Sequence, residues 1–140
     1  MVLVDENSTA YSMGGFQGTA AFFKDIPKII EAFRTDKGLS WEDHDAELFQ
    51  GTERFYRPSY SANLVNSWIP SLDGGKVEEK LKKGGAFVAD VGCGHGLTTI
   101  MMAKAYPSCR FVGYDKSYSF YSKSKTTRKR RRIERRADKI

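Results

Sequence analysis

Ala86-Phe87-Val88-Ala89-Asp90-Val91-Gly92-Cys93-Gly94-His95-Gly96 opens the stretch from which the fold is read, and Leu97–Tyr106 and Cys109–Asp115 complete it. Ala86 to Val91 is a largely apolar run bounded by glycine, which predicts a strand. Gly92, Gly94 and Gly96 predict a sharp turn. Leu97 to Tyr106 has a helical period, with Leu97, Ile100 and Met101 on one face. Pro107 bounds it, because a residue before proline is pushed out of the helical region. Phe111-Val112-Gly113-Tyr114 predicts a second strand that ends at Asp115. Strand, turn, helix and strand in that order make one parallel crossover unit, so the fold class expected is α/β.

Ligands of open parallel sheets bind beyond the carboxyl ends of the strands. The three glycines fall at that end of the first strand, where the lack of a Cβ lets a ligand approach the backbone. The helix after them offers unpaired amides and the positive end of its dipole. Asp115, at the end of the second strand, is placed to accept two hydroxyls of a ribose. A dinucleotide pattern would need glycine five positions after Gly92, where the chain has Leu97. The pattern is Gly-x-Gly-x-Gly instead, with Asp90 two residues upstream.

At this point the chain resembles the class I S-adenosylmethionine-dependent methyltransferases, whose first motif has the form Asp-Val-Gly-Cys-Gly-x-Gly. Asp90 to Gly96 matches it residue by residue, and Asp115 matches the family's acidic residue after the second strand. The resemblance implies S-adenosyl-L-methionine as cofactor and an incomplete Rossmann-like fold. It implies that the backbone of Gly92, Cys93, Gly94 and Gly96 lies against the methionine part, that Asp115 holds the ribose hydroxyls, and that Asp90 fixes the amino group or the loop. The reaction implied is methyl transfer to a small-molecule acceptor. The segment Gly15 to Ile69, with Glu31-Ala32-Phe33-Arg34 and Gly51-Thr52-Glu53-Arg54-Phe55-Tyr56, looks like the helical linker of a subgroup that carries a winged-helix-like domain first. Such a linker would cover the cofactor, with Tyr11, Phe22, Phe55, Tyr56 and Trp68 as candidates for pocket lining; core packing is their ordinary use. The family's sheet has seven strands and two are read here. The expectation is therefore a truncated form that is not competent alone.

The organisation that follows is a helical cap over residues 1–83, the start of the cofactor domain over 84–115, and a basic tail over 116–140. Residues 1–18 read as an entry segment with little periodicity. Helical pattern begins at Thr19, with a break and restart at Asp25 and Pro27 and a stop at Gly38. Residues 41–57 read as short helices and turns, and Ser59–Ile69 as a helix ended by Pro70. Val77 and Leu81 mark a short helix that Gly84-Gly85 closes.

The 140-residue chain has a net charge of +6, but that charge is not spread evenly. Residues 116–140 hold eleven Lys or Arg against Glu134 and Asp138, a net of +9, so residues 1–115 carry −3. The run Lys123–Arg132 has almost no apolar partner for a sheet. It is expected to be disordered or foreign to the family pattern. It also carries the competing reading: a non-catalytic protein that binds nucleic acid through its tail or travels to the nucleus. No apolar run approaches the ~20 residues of a membrane span. The N-terminus has no secretory pattern, and Cys93 and Cys109 imply no disulfide framework. A reduced cytoplasmic setting is the default.

Two clusters are weighed and set aside. Glu42-Asp43-His44-Asp45 suggests a metal site, but sequence neighbours do not share a helix face, so it is read as a solvated acidic helix start and no metal is assigned. His95 lies within the glycine turn and is read as offering only its backbone. No catalytic residue is named.

Overall fold

The computed structural model describes residues 2–116 and, within the tail, the backbone of the strand Arg132–Arg135. It divides into two compact units, Met1–Pro58 and Ser59–Ile140.

The first unit is built on α1 (Met13–Thr35), a 3-10 turn (Trp41–Asp43) and the greater part of α2 (Ala46–Asn63). α1 begins inside the segment read as irregular. The reason is that its glycines are a packing surface. A Cβ on Gly14 would lie 2.5 Å from the Gly51 carbonyl oxygen, and a Cβ on Gly51 would lie 2.6 Å from the Gly18 amide nitrogen. α1 and α2 therefore meet backbone to backbone at Gly14, Gly18 and Gly51.

The expected break at Asp25 and Pro27 does not occur; α1 runs through Pro27. An interior proline forfeits a helical hydrogen bond and costs about 3 kcal/mol. Here Asp25, two residues earlier, is fully buried and tied to residues 44 and 45, which holds the helix in place at that point. Residues 46–57 likewise form one helix rather than several, and it passes through Pro58. Of the aromatic candidates for pocket lining, Tyr11 is buried, whereas Phe22, Phe55, Tyr56 and Trp68 are exposed.

In the second unit, a π-turn at Leu64–Trp68 leads to the short α3 (Ile69–Ser71). Pro70 does not end this helical stretch. It stands in the first turn of α3, where its fixed φ suits the helix. A tight turn with positive φ at Asp73 and Gly74 follows. α4 (Lys76–Lys83) is then closed by Gly84, as the sequence suggests.

The crossover unit has the expected form. β1 (Phe87–Val91) leads through the glycine turn to α5 (Leu97–Ala105) and on to β2 (Arg110–Tyr114). β1 and β2 are parallel, with Val88 opposite Phe111 and Asp90 opposite Gly113. A strand the sequence did not announce, β3 (Arg132–Arg135), pairs antiparallel to β2, so the sheet order is β1-β2-β3. The tail is thus not irregular over these four residues; the rest of its basic run lies outside the described residues.

Alternation in β1 sets the two faces apart. Val88 and Asp90 are half-buried, while Phe87 and Val91 are 55% and 82% exposed. The core of this unit joins Ile69, Leu81, Ala103, Tyr106, Cys109 and the fully buried Phe111. Among the described residues the Tyr106 hydroxyl is buried without a hydrogen-bond partner. Such a group costs about 1–3 kcal/mol of lost hydration. Tyr106→Phe should therefore raise stability by about 1 kcal/mol. A lower urea midpoint in the variant would show that the hydroxyl has a partner.

Candidate functional site

The turn between β1 and α5 is shaped by backbone geometry first. Gly92, Gly94 and Gly96 have φ of 80°, 53° and 82°, in the region that disfavours any side chain. Nothing lies within 4 Å of where a Cβ on Gly92 or Gly94 would sit, so the turn faces open space there. The amides of Gly92 and Cys93 both donate to the Tyr114 carbonyl, at 2.7 and 3.2 Å. These bonds tie the start of the turn to the end of β2.

Asp115 completes the tie. The Gly94 amide donates to Asp115 Oδ2 at 2.7 Å. The two sequence features, twenty-one residues apart, are therefore in direct contact. One oxygen of Asp115 braces the turn at the carboxyl end of the strands.

Asp90 faces the helix instead. Its Oδ2 accepts from the hydroxyls of Thr98 at 2.7 Å and Thr99 at 2.6 Å. It clamps the first turn of α5 against β1, and the helix dipole favours a carboxylate there. Thr98 and Thr99 were not named from the sequence, although hydroxyl residues in the first turn after a glycine loop were the available signal.

Cys93 contributes no side chain to the open face. It is buried, and its thiol is turned under the turn toward Gly113. Burial, with the charges of Asp90 and Asp115, pushes the thiol's pKa up. Gly113 is the reciprocal feature, since a Cβ there would stand 2.6 Å from Cys93 Sγ and 3.0 Å from Thr99 Oγ1. Leu97, Thr98 and Thr99 open α5, and a helix has no internal acceptor for the amides of its first turn. His95 lies in the turn, half-buried.

The first unit holds a second polar cluster, which the sequence reading missed. Asp25 is fully buried. Its carboxylate accepts from the Asp45 amide at 2.9 and 3.1 Å, from Lys28 Nζ at 3.0 Å, and from His44 Nδ1 at 2.8 Å. Burial alone would raise the Asp25 pKa, but these donors outweigh it and hold it at about 2. Glu42 and Asp43 are exposed in the first turn of the 3-10 helix, as a solvated acidic helix start requires, whereas His44 is mostly buried and the Asp43 carbonyl accepts from Lys28 Nζ. Among the described residues, no three His, Cys, Asp or Glu side chains are grouped to hold a metal ion. His44 also lines a cleft of about 400 Å³ with Ile29, Ala32, Phe33, Asp36 and Leu39.

Among the described residues no helix is long and apolar enough to cross a membrane. No family model matches the chain, and no curated protein matches it.

Proposed function

We propose that residues 84–115 form the cofactor-binding start of a Rossmann-like methyltransferase domain that takes S-adenosyl-L-methionine and serves methyl transfer to a small-molecule acceptor. The observation that carries this reading is the contact between the Gly94 amide and Asp115. It brings the glycine turn and the acidic strand end into one site beyond the parallel strands, where such ligands bind.

The charge of the site favours this cofactor over a pyrophosphate. Asp90 and Asp115 both flank the turn, and one of them already takes the Gly94 amide. A phosphate would meet the Asp115 carboxylate and find that donor used. S-adenosylmethionine instead brings a sulfonium and an amino group against one carboxylate, a net positive charge. Asp115 would hold the ribose hydroxyls. The backbone of Gly92 to Gly96 would lie along the methionine part, and Asp90 would keep the turn shaped through Thr98 and Thr99.

The cofactor supplies a methyl group on a good leaving group. The protein's part is alignment, which alone accounts for several kcal/mol of barrier. Titration calorimetry with S-adenosylmethionine tests the reading directly: absence of binding heat would remove it. Asp115→Ala should weaken binding by about 1.5–3 kcal/mol, the scale of hydrogen bonds to a charged group. Unchanged affinity in that variant would take Asp115 out of the site.

A further inference from the structure

We propose that α1 is a dimerisation face: two copies of the chain pair antiparallel along it, through Phe16, Thr19, Phe23, Ile26, Ile30 and Phe33. This inference stands apart from the reading of the glycine turn.

The spacing of these six residues carries the proposal. They follow one another at intervals of three, four, three, four and three. That is the a and d pattern of a helix that meets one other helix along a narrow seam. α1 already has its own partner on the other side. Its buried residues are Gly14, Gly18, Ala21 and Asp25, and the glycines among them meet α2. At about 3.6 residues per turn, the seam lies on the opposite side of the helix. Phe16, Phe23 and Phe33 are 61%, 69% and 84% exposed, Ile26 and Ile30 are each 44% exposed, and Thr19 is exposed too. An apolar stripe that served the chain's own core would be buried.

The stripe is suited to burial. None of its six positions carries a charge. Its one hydroxyl is satisfied within the helix, since Thr19 Oγ1 donates to the Gly15 carbonyl at 2.8 Å. Covering the seam therefore strands no polar side chain. α1 is already held by α2, so pairing orders side chains and little else. With an aromatic side chain taken at about 200 Å² and isoleucine at slightly less, the open part of the stripe is about 600 Å² per chain. Two copies would bury about 1,200 Å², the size at which specific interfaces begin.

The stripe also complements itself. An antiparallel pair about a two-fold axis between Lys24 and Asp25 sets Phe16 against Phe33 of the second copy, Thr19 against Ile30 and Phe23 against Ile26. Each a position then meets a d position, and the contact closes on itself at two chains. A parallel pair would set Thr19 on Thr19 and align the two helix dipoles unfavourably. A membrane surface is the other taker of such a face. Residues 1–58 hold ten Asp or Glu against six Lys or Arg, a net of −4, which disfavours an anionic bilayer.

The test is sedimentation equilibrium of the full 140-residue chain from about 5 to about 500 µM. It should show monomer and dimer only, with a dissociation constant below about 100 µM. Phe23→Glu, at an exposed position, should leave the circular dichroism unchanged and weaken the dimer at least about thirtyfold. Phe87→Glu, on the comparably exposed face of β1, should dimerise as the wild type does. Spin labels on Arg34→Cys should lie about 30 Å apart in the antiparallel pair, against less than about 15 Å in a parallel one. The native Cys93 and Cys109 are buried. A monomer at about 500 µM, association beyond the dimer, or the short label distance would overturn the proposal. So would a dimer weakened by Phe87→Glu and not by Phe23→Glu. A monomeric chain that sediments with phosphatidylcholine–phosphatidylserine vesicles, and no longer does so as Phe23→Glu, would overturn it in favour of a membrane.

Discussion

Gly51→Val should unfold the packing of residues 1–58, at a cost of at least about 3 kcal/mol, the upper end of what overfilling a packed site costs. The added Cβ alone would stand 2.6 Å from the Gly18 nitrogen and 2.8 Å from the Gly14 oxygen. Both are backbone atoms of α1, so no side chain can turn aside. α1 and α2 would have to separate, exposing Ala21, Leu48 and Phe49, which are buried now. Gly15→Ala is the control. It lies on the same helix, but its Cβ would meet only the Phe55 ring, at 3.3 Å, and that ring can yield. There alanine's better helix propensity, worth about 1 kcal/mol, should decide the sign. Equal urea midpoints for wild type and Gly51→Val would refute the close crossing.

Asp25→Ala should cost about 3 kcal/mol, the scale of breaking a buried charge network from one side. It strands the Asp45 amide, Lys28 Nζ and His44 Nδ1 together. The pH dependence separates this from a simple packing defect. Asp25 has a folded pKa of about 2 against an ordinary value of 3.8. A depressed carboxylate pKa contributes stability that is complete above the unfolded value and lost as pH falls through the folded one. Wild type should therefore lose stability between about pH 4 and pH 2, and Asp25→Ala should lack that part of the curve. Stability curves that stay parallel down to pH 2 would mean that the Asp25 charge does not hold the cluster.

The crossover unit was legible because its signals are local. An apolar run, three alternate glycines, a helical period and Pro107 all act within a few residues of where they stand. Asp115 was legible as the end of a strand, and the register of β1 on β2 then places it beside the turn. The first unit was misread for the opposite reason. Gly14, Gly18 and Gly51 weaken a helix in isolation, and their use appears only where α1 and α2 cross. Asp25 reads as a break before Pro27 until His44 and Asp45, 19 and 20 residues on, are brought to it. The π-turn at Leu64–Trp68 has no sequence signature of its own. The strand at Arg132–Arg135 was hidden by composition, because a cationic stretch carries none of the apolar alternation that marks a strand.

The bond from Gly94 to Asp115 has a consequence for the entropy of recognition. Three successive glycines at alternate positions would ordinarily sample many conformations, and freezing them costs more than freezing any other residues. Tied to Tyr114 and Asp115, the turn is frozen by folding, before any ligand arrives. A ligand taken there would order little of the chain, and more of its contact energy would remain as affinity. The same carboxylate that would recognise a hydroxyl thus also keeps the backbone around it ready, so that its removal loosens the receptor as well as deleting a contact.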